Sequence, residues 1–259
     1  MPEGDVVWRT AQQLHSSLAG RELARSDFRV PRFATTDLAG RAVTESVSRG
    51  KHLLTRVEGD ITVHTHLKMD GSWRISAAKD FPFRDHRIRL ILANSQWQAT
   101  GYLLGIVEVV RTSKEDLVVG HLGPDLLGPG WDTDEAVRRL STEPGRTIGE
   151  ALLDQRNLAG IGTIYRAETL FLRGVNPWSP VSQVPDLPGL VEMARRLLEA
   201  NKARAETITT GNGARGSQLW VYGRAGQRCR RCGATIQRGS LGPQLEERIA
   251  VWCPHCQPL

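Results

Sequence analysis

Cys229-Arg230-Arg231-Cys232 and, twenty residues later, Cys253-Pro254-His255-Cys256 hold all four cysteines of this 259-residue chain. Each C-x2-C pair can form a knuckle that turns two thiolates toward one point, and two knuckles make a tetrahedral set for zinc. Disulfide or thioredoxin-like redox chemistry is the rival. No βαβ pattern surrounds either pair, and structural disulfides are rare in a reducing cytoplasm. A site of Cys229, Cys232, Cys253 and Cys256 keeps no open position, so one structural zinc ion is expected. His255 is then a surface residue. Residues 218–259 are too short and polar to build a core unaided. Metal replaces the missing core and stiffens a hairpin that can present Arg248 to a phosphate.

The surrounding charge points the same way. Residues 201–259 carry nine basic side chains, eight of them arginine, against three acidic ones, an excess equal to the formal net charge of +6 of the whole chain. Arginine suits bidentate phosphate contact, so the partner expected is nucleic acid. A hydrophobic content of 40% supports packed cores and excludes general disorder. No run of 18 apolar residues occurs, which excludes a membrane-spanning helix, and no basic segment followed by an apolar stretch opens the chain. A cytoplasmic location is expected.

Upstream, Val6, Val7, Ala11, Leu14 and Leu18, closed by Gly20, have the spacing of a helix over 1–20. From about 22 to 112 the pattern is β. Leu53–Val57 and Ile61–His64 flank the turn Glu58-Gly59-Asp60, and Ile88–Leu92 and a run from Tyr102 to Val110 flank Ala93-Asn94-Ser95. An antiparallel sandwich or barrel is expected. Gly and Pro crowd residues 113–131, where a linker is expected. Asp132 with Glu135 and Thr147 with Glu150 read as capping boxes, the second opening a helix through Arg156. Gly160-Ile161-Gly162 breaks it, Thr163 to Leu172 begins anew and ends at Gly174, and 188–203 is a further amphipathic helix. The fold class is α+β and multidomain: residues 1–112 an N-terminal helix plus β-sandwich, 113–131 a linker, 132–217 a helix–turn–helix domain, and 218–259 a four-cysteine zinc finger.

The first residues, Met1-Pro2-Glu3-Gly4-Asp5, carry a chemical possibility. Removal of Met1 leaves Pro2 as a secondary amine beside a carboxylate. Such an amine can attack an aldehyde-like carbon and form an iminium without a cofactor. α-Amino groups titrate near about 7.7–8.0, well below lysine, and the positive end of the following helix disfavours the charged amine further. Glu3 pulls the other way. With Met1 attached, the Pro2 nitrogen is an amide and has no nucleophilic lone pair.

These segments, in order, resemble the formamidopyrimidine-DNA glycosylase / endonuclease VIII family of base-excision repair enzymes, and the endonuclease VIII branch more closely. The resemblance is carried by Met1-Pro2-Glu3-Gly4, Arg49-Gly50-Lys51-His52-Leu53, His66-Leu67-Lys68-Met69-Asp70-Gly71, Leu152–Gln155 through Ala159–Tyr165, and Val221-Tyr222-Gly223-Arg224 leading into the finger, with Arg248 five residues before Cys253. It implies an N-terminal sandwich, a helix–two-turn–helix domain and a zinc-finger hairpin. It also implies roles. Pro2 attacks C1′ of the damaged nucleotide, Glu3 assists proton transfer to the sugar, Lys51 serves beside sugar and phosphate, and Arg248 grips a phosphate and supports δ-elimination. Lys68, Met69 and Asp70 lie where the family fills the space left by a flipped base, and Thr163 stands where a helix N-terminus meets phosphate. Damaged DNA is the implied partner, met by a monomer in the cytoplasm of a bacterium, at the nucleoid.

Three departures matter. Asp5 and Val6 stand where the family often has Pro-Glu, Thr163 replaces an asparagine, and Gly101-Tyr102-Leu103-Leu104-Gly105 replaces an Arg-Arg-Phe element that reads the base opposite the lesion. Oxidised pyrimidines therefore fit better than 8-oxoguanine. A non-catalytic zinc-finger protein that binds abasic or single-stranded DNA is the alternative reading; the intact Pro2, Glu3 and Lys51 argue against it. An RNA-binding zinc ribbon lacks the aromatic stacking pattern it would need.

Overall fold

The computed structural model describes residues 2–78, 84–243 and 247–259. Met1, whose removal decides the state of the Pro2 nitrogen, lies outside them. The chain forms two compact units, Met1–His121 and Leu122–Leu259.

The first unit opens with helix α1 (Gly4–Leu18), followed by strands β1 (Arg21–Glu22), β2 (Arg25–Phe28), β3 (Ala42–Arg49), β4 (His52–Val57), β5 (Ile61–His66), β6 (Ser72–Ala77), β7 (Ile88–Ala93), β8 (Trp97–Tyr102) and β9 (Ile106–Arg111), and a one-turn helix α2 (Asp116–Val119). Two antiparallel sheets result, ordered β1-β3-β4-β5-β9 and β2-β7-β8-β6. The buried stripe of α1 (Val7, Ala11, Leu14, Leu18) packs in one core with Val43, Leu53, Val57 and Val63 of the first sheet and Leu90, Leu92 and Ala99 of the second. The alternation along each strand produces this, because odd-numbered residues of β4 face the core and even-numbered ones face away.

The strand opposite β7 across the Ala93-Asn94-Ser95 turn is Trp97–Tyr102, not the expected run from Tyr102 to Val110. The run from Tyr102 to Val110 is interrupted where Leu103 takes φ 48, so β8 ends at Tyr102 and β9 starts at Ile106. Leu103 to Gly105 form a corner that no apolar pattern announces. The turn after β7 is held by Asn94, whose Oδ1 accepts the N–H groups of Gln96 and Trp97 at 2.9 and 2.8 Å.

The second unit carries helices α3 (Thr133–Leu140), α4 (Ile148–Ala151), α5 (Thr163–Arg173) and α6 (Leu187–Asn201), then the hairpin of β10 (Gln237–Leu241) and β11 (Arg248–Trp252). The Asp132 carboxylate caps α3, accepting the Glu135 N–H at 3.0 Å. The helix expected from Thr147 through Arg156 is a correction: α4 lasts four residues and then turns. Thr147 makes no cap to the backbone; its hydroxyl is turned onto the Glu150 carboxylate. Propensity favoured a helix there, but the Asp154 carboxylate takes the Arg156 N–H at 3.0 Å and closes a local turn instead. Gly174 ends α5 in the left-handed conformation, φ 68, as a helix-terminating glycine does.

A buried carboxylate ties α5 to the chain that enters the finger. Glu168 is 0% exposed. Its oxygens accept the N–H groups of Trp220, Val221 and Tyr222 at 2.8, 2.9 and 2.8 Å, and the Thr209 hydroxyl as well. Phe171, one turn later, stacks on Trp220 with ring centroids 5.6 Å apart, and the Arg231 guanidinium lies 4.4 Å from the Phe171 centroid. Replacing Glu168 with Gln puts an NH2 group where backbone donors already point. The loss expected is about 1–3 kcal/mol, the cost of buried polar groups left without partners, read as a lower Tm in thermal melts; an unchanged Tm would show the clamp to be dispensable.

Candidate functional site

Helix α1 runs antiparallel to β3. His15 Nδ1 accepts the Ser46 N–H at 3.2 Å, and the Gly20 N–H donates to Val43 O at 2.8 Å. Going back from His15 to Glu3 covers about 18 Å at 1.5 Å per helical residue. Going forward from Ser46 to Lys51 covers about 16 Å at 3.3 Å per strand residue. The start of α1 and the turn between β3 and β4 therefore lie at the same end of the first unit. Glu3 is the N-cap residue, extended and 1% exposed, with its carbonyl accepting the Val7 N–H at 3.1 Å. Its carboxylate is thus buried at the start of the helix. Pro2 is half-buried.

Arg49 pairs with His52, so Gly50-Lys51 is a two-residue turn, and Gly50 supplies its φ of 58. Lys51 is half-buried. Beyond β5, Lys68 (φ 53), Met69 and Asp70 form a second turn at this end, closed by the Gly71 N–H on Leu67 O at 2.9 Å. A Cβ at Gly71 would lie 2.4 Å from that oxygen, so the close approach needs glycine. Met69 is 58% exposed. The Gly105 N–H donates to His66 O at 3.0 Å and brings the Leu103–Gly105 corner alongside.

In the second unit Thr163 is the first residue of α5, half-buried, after the N-cap Gly162. The Gln155 side chain holds the preceding turn from both sides: Oε1 accepts the Gly160 N–H at 3.0 Å and Nε2 donates to Ile161 O at 3.0 Å. A cleft of about 350 Å³ in this unit is lined by Arg146, Asp154, Gln155, Arg156, Arg166 and Arg248 among others. Asp154 pairs with Arg156 at 2.6 Å and Arg146 at 3.0 Å, and these guanidiniums, Arg156 foremost, hold its carboxyl well below the usual range. Arg248 starts β11, exposed, opposite Leu241.

The four cysteine sulfurs lie within 4.8 Å of one another, with Cys229 to Cys256 at 3.9 Å and Cys232 to Cys253 at 3.4 Å. A tetrahedron with bonds of about 2.3 Å needs sulfurs about 3.8 Å apart, so the cluster fits one such metal ion. The Arg231 N–H points at Cys229 Sγ at 3.4 Å and the Cys256 N–H at Cys253 Sγ at 3.5 Å, one knuckle each.

Comparison with known proteins agrees with this layout. The model of the formamidopyrimidine-DNA glycosylase N-terminal domain matches residues 1–100, and that of the formamidopyrimidine-DNA glycosylase H2TH domain matches residues 122–210. The chain belongs to the formamidopyrimidine-DNA glycosylase family. It is 52% identical over 261 residues to "Probable endonuclease 8 2" of Streptomyces coelicolor, covering 99% of this chain and 94% of that one. It is 52% identical over 262 residues to "Endonuclease 8 2" of Mycobacterium tuberculosis (99% and 100%), and 47% identical over 257 residues to "DNA-(apurinic or apyrimidinic site) lyase Nei2" of Mycolicibacterium smegmatis (99% of each). A solved Lactococcus lactis Fpg, in complex with DNA containing an abasic site, shares the fold with a TM-score of 0.82 at 24% identity, over 99% of this chain and 100% of that one.

Within this glycosylase fold, several groups that shape the site have no motif of their own. Gln257, fully buried, takes the Cys253 N–H at 3.0 Å and donates to Val175 O at 2.8 Å, anchoring a cysteine knuckle to the end of α5. A layer of histidines lies behind the Lys51 turn. Glu108 Oε2 is 3.0 Å from His64 Nδ1, and His64 Nε2 is 2.8 Å from His52 Nδ1. His66 and His121 meet the His52 ring edge-on, with centroids at 4.8 and 6.1 Å. The only sequence signal was a period of two along β5, His64 and His66, which a strand places on one face.

Burial first, then His66, His64, His121 and Lys68, push His52 down to about 3. Burial, then Lys68, His64 and Lys51, push His66 down to about 4. His64 is lowered too, burial outweighing the pull of Glu108. Unfolded, these rings take up protons near their ordinary 6.5. Between that value and about 4 the unfolded chain binds more protons than the folded one, so stability falls as pH falls. Thermal melts from about pH 7 to about pH 4.5 should show a declining Tm, with a shallower decline for His52→Gln; identical slopes would remove the histidines as the cause.

Proposed function

We propose that this chain is a base-excision repair DNA glycosylase with abasic-site lyase activity, acting on oxidised bases, pyrimidines foremost. The observation that carries the reading is the half-identity, end to end, with endonuclease 8 proteins, in a chain whose Pro2-Glu3 start shares one end of the first unit with Lys51. In this mechanism the free Pro2 amine attacks C1′ and the base departs, leaving an iminium between enzyme and sugar. Glu3 moves the proton that opens the sugar, and Lys51 stands beside sugar and phosphate as the acid of β-elimination. Met69, exposed between Lys68 and Asp70, fills the space of the flipped base. Arg248 and the N-terminus of α5 at Thr163 hold backbone phosphates. The absence of an Arg-Arg-Phe element at Gly101–Gly105 supports weak dependence on the opposite base. The working form is a cytoplasmic monomer, with residues 1–112 as the catalytic domain, 113–131 as linker, 132–217 as the helix–two-turn–helix domain and 218–259 as the finger.

Borohydride trapping on an oligonucleotide with an oxidised pyrimidine tests the reading. Protein with Met1 removed should give a covalent adduct, located on the Pro2 nitrogen by mass spectrometry of the digest. Protein that retains Met1 should bind the DNA and give none. Glu3→Gln should lose excision of intact lesions and keep part of its cleavage at preformed abasic sites, where no base has to leave. An adduct on Lys51, or full activity with Met1 verified in place, would sink the mechanism; tight binding without any adduct would favour the non-catalytic binder.

Arg248→Ala should weaken DNA binding and reduce the slope of log K against log salt by roughly one unit, as for one lost phosphate contact. A titration series with an unchanged slope would mean that Arg248 does not touch phosphate.

The four cysteines would hold a single zinc ion, whose role is to supply the binding energy that folds the finger. Elemental analysis should find about one zinc per chain, and Cys229→Ser should melt the 218–259 module, because the binding energy of such a site is folding energy. Folded, active protein free of zinc would overturn this.

A further inference from the structure

We infer that Glu108, His64 and His52 form a directional hydrogen-bonded relay that positions Lys51 for the reaction, a role that rests on the lyase reading above. Strand alternation builds it. Leu53, Val63 and Val107 face the core. His52 of β4, His64 and His66 of β5, and Glu108 of β9 therefore share the opposite face of the sheet. The registers Leu54↔His64, His64↔Glu108 and His52↔His66 set them side by side. The segment 112–121 covers this face. Glu115 accepts from Arg56 at 2.8 and 2.7 Å and from the Thr62 hydroxyl at 2.6 Å, and His121 lies against His52.

The relay has one direction. A carboxylate only accepts, so the proton between Glu108 and His64 sits on His64 Nδ1. A neutral His64 then offers Nε2 as acceptor, so the proton of the next bond sits on His52 Nδ1. His66 is fixed independently: its Nδ1 accepts the Lys68 N–H at 2.9 Å, which puts its proton on Nε2. The charged groups set against the layer include Lys51, Lys68, Glu108 and Glu115, and Arg56 on the same face is paired with Glu115. Burial first, with the neighbouring rings and Lys68 adding to it, keeps the rings neutral, and neutrality is what the relay requires, because a doubly protonated His64 cannot accept from His52.

The consequence falls on Lys51. His52 closes the two-residue turn that carries it, so a locked His52 ring narrows the backbone and rotamer freedom of the residue before it. His66 does the same for the Lys68–Asp70 turn through the Lys68 N–H. A lysine held in one arrangement forgoes the ordering cost at each turnover, and a misplacement of about 1 Å can cost two orders of magnitude in rate. His52, His64 and Glu108 act through Lys51 and are positioning residues.

Glu108 is the place to test this, since its side chain is 35% exposed and its replacement leaves the core intact. Long-range 15N–1H NMR of the full chain should find the proton on Nδ1 in both His52 and His64. Glu108→Leu should lose that pattern and cleave a preformed abasic-site duplex about tenfold more slowly or worse, with DNA affinity unchanged. Glu108→Gln, whose amide oxygen still accepts from His64 Nδ1, should restore most of the rate and the Nδ1 protons. Protons on Nε2 of His52 in the wild type would overturn the relay. So would wild-type cleavage by Glu108→Leu with the tautomer shown to have switched, or a loss confined to DNA affinity. Wild-type protein that cuts no abasic site would instead remove the lyase reading, and the two failures are thereby told apart.

Discussion

The Glu168 carboxylate is the constraint on which the second unit depends. It sits on α5 with no exposure to solvent and accepts three consecutive backbone N–H groups from residues 220 to 222. A charge buried this deeply is tolerable only when its oxygens are filled by donors. The requirement works in both directions. Residues 220–222 have no strand partner, so their N–H groups need an acceptor, and the carboxylate needs donors. Satisfying both brings the chain that leads to the finger against α5, where Phe171, Trp220 and Arg231 stack and the hydrophobic cluster of Val221, Ile236 and Val251 closes. The cysteine cluster is then joined to the chain just past the end of the same helix, through Gln257 and Val175. The finger is held as an extension of α5, and Arg248 inherits its place from that attachment.

The first unit rests on a different set of contacts. One helix lies along β3, and its apolar stripe completes a core shared by two sheets. Because the helix and strand run antiparallel, the helix N-terminus returns to the end where three turns meet. Gly50, Gly71 and Gly105 sit in those turns. Gly105 is next to Lys68, whose Cγ a Cβ at 105 would approach to 2.3 Å. The outer face of the same sheet is polar yet covered. That combination makes it unlike an ordinary solvated face. Covered polar groups must find partners among themselves, and here the partners are arranged in sequence from Glu108 to the turn of Lys51.

Much of this was legible in the chain. The cysteine spacing specified the cluster, the apolar periods specified α1, α5 and α6, and glycine and proline marked the breaks. Those signals are local: each depends on residues within a few positions, and local geometry follows from them directly. The failures were local signals overruled. Thr147 and Glu150 have the spacing of a capping box, but Asp154 closed the chain into a turn before a longer helix could form. The run from Tyr102 to Val110 is apolar apart from Gly105 and Glu108, yet the chain turns a corner at Leu103, where it leaves one sheet for the other.

What the sequence by itself determined was which elements exist, which residues could bind metal and phosphate, and that Pro2, Glu3 and Lys51 were chemically worth following. Only the tertiary structure decided which of these meet. Glu168 and Gln257 have partners far along the chain, Glu108 and His52 have theirs on other strands, and nothing in the neighbouring residues names them. Register is the physical reason. A strand places alternate side chains on one face, but which residue of the next strand stands opposite is settled by hydrogen-bond pairing and by core packing across the whole sheet. A histidine two residues from another is therefore visible in the sequence, while the carboxylate that gives it a direction appears only when β5 and β9 are laid side by side.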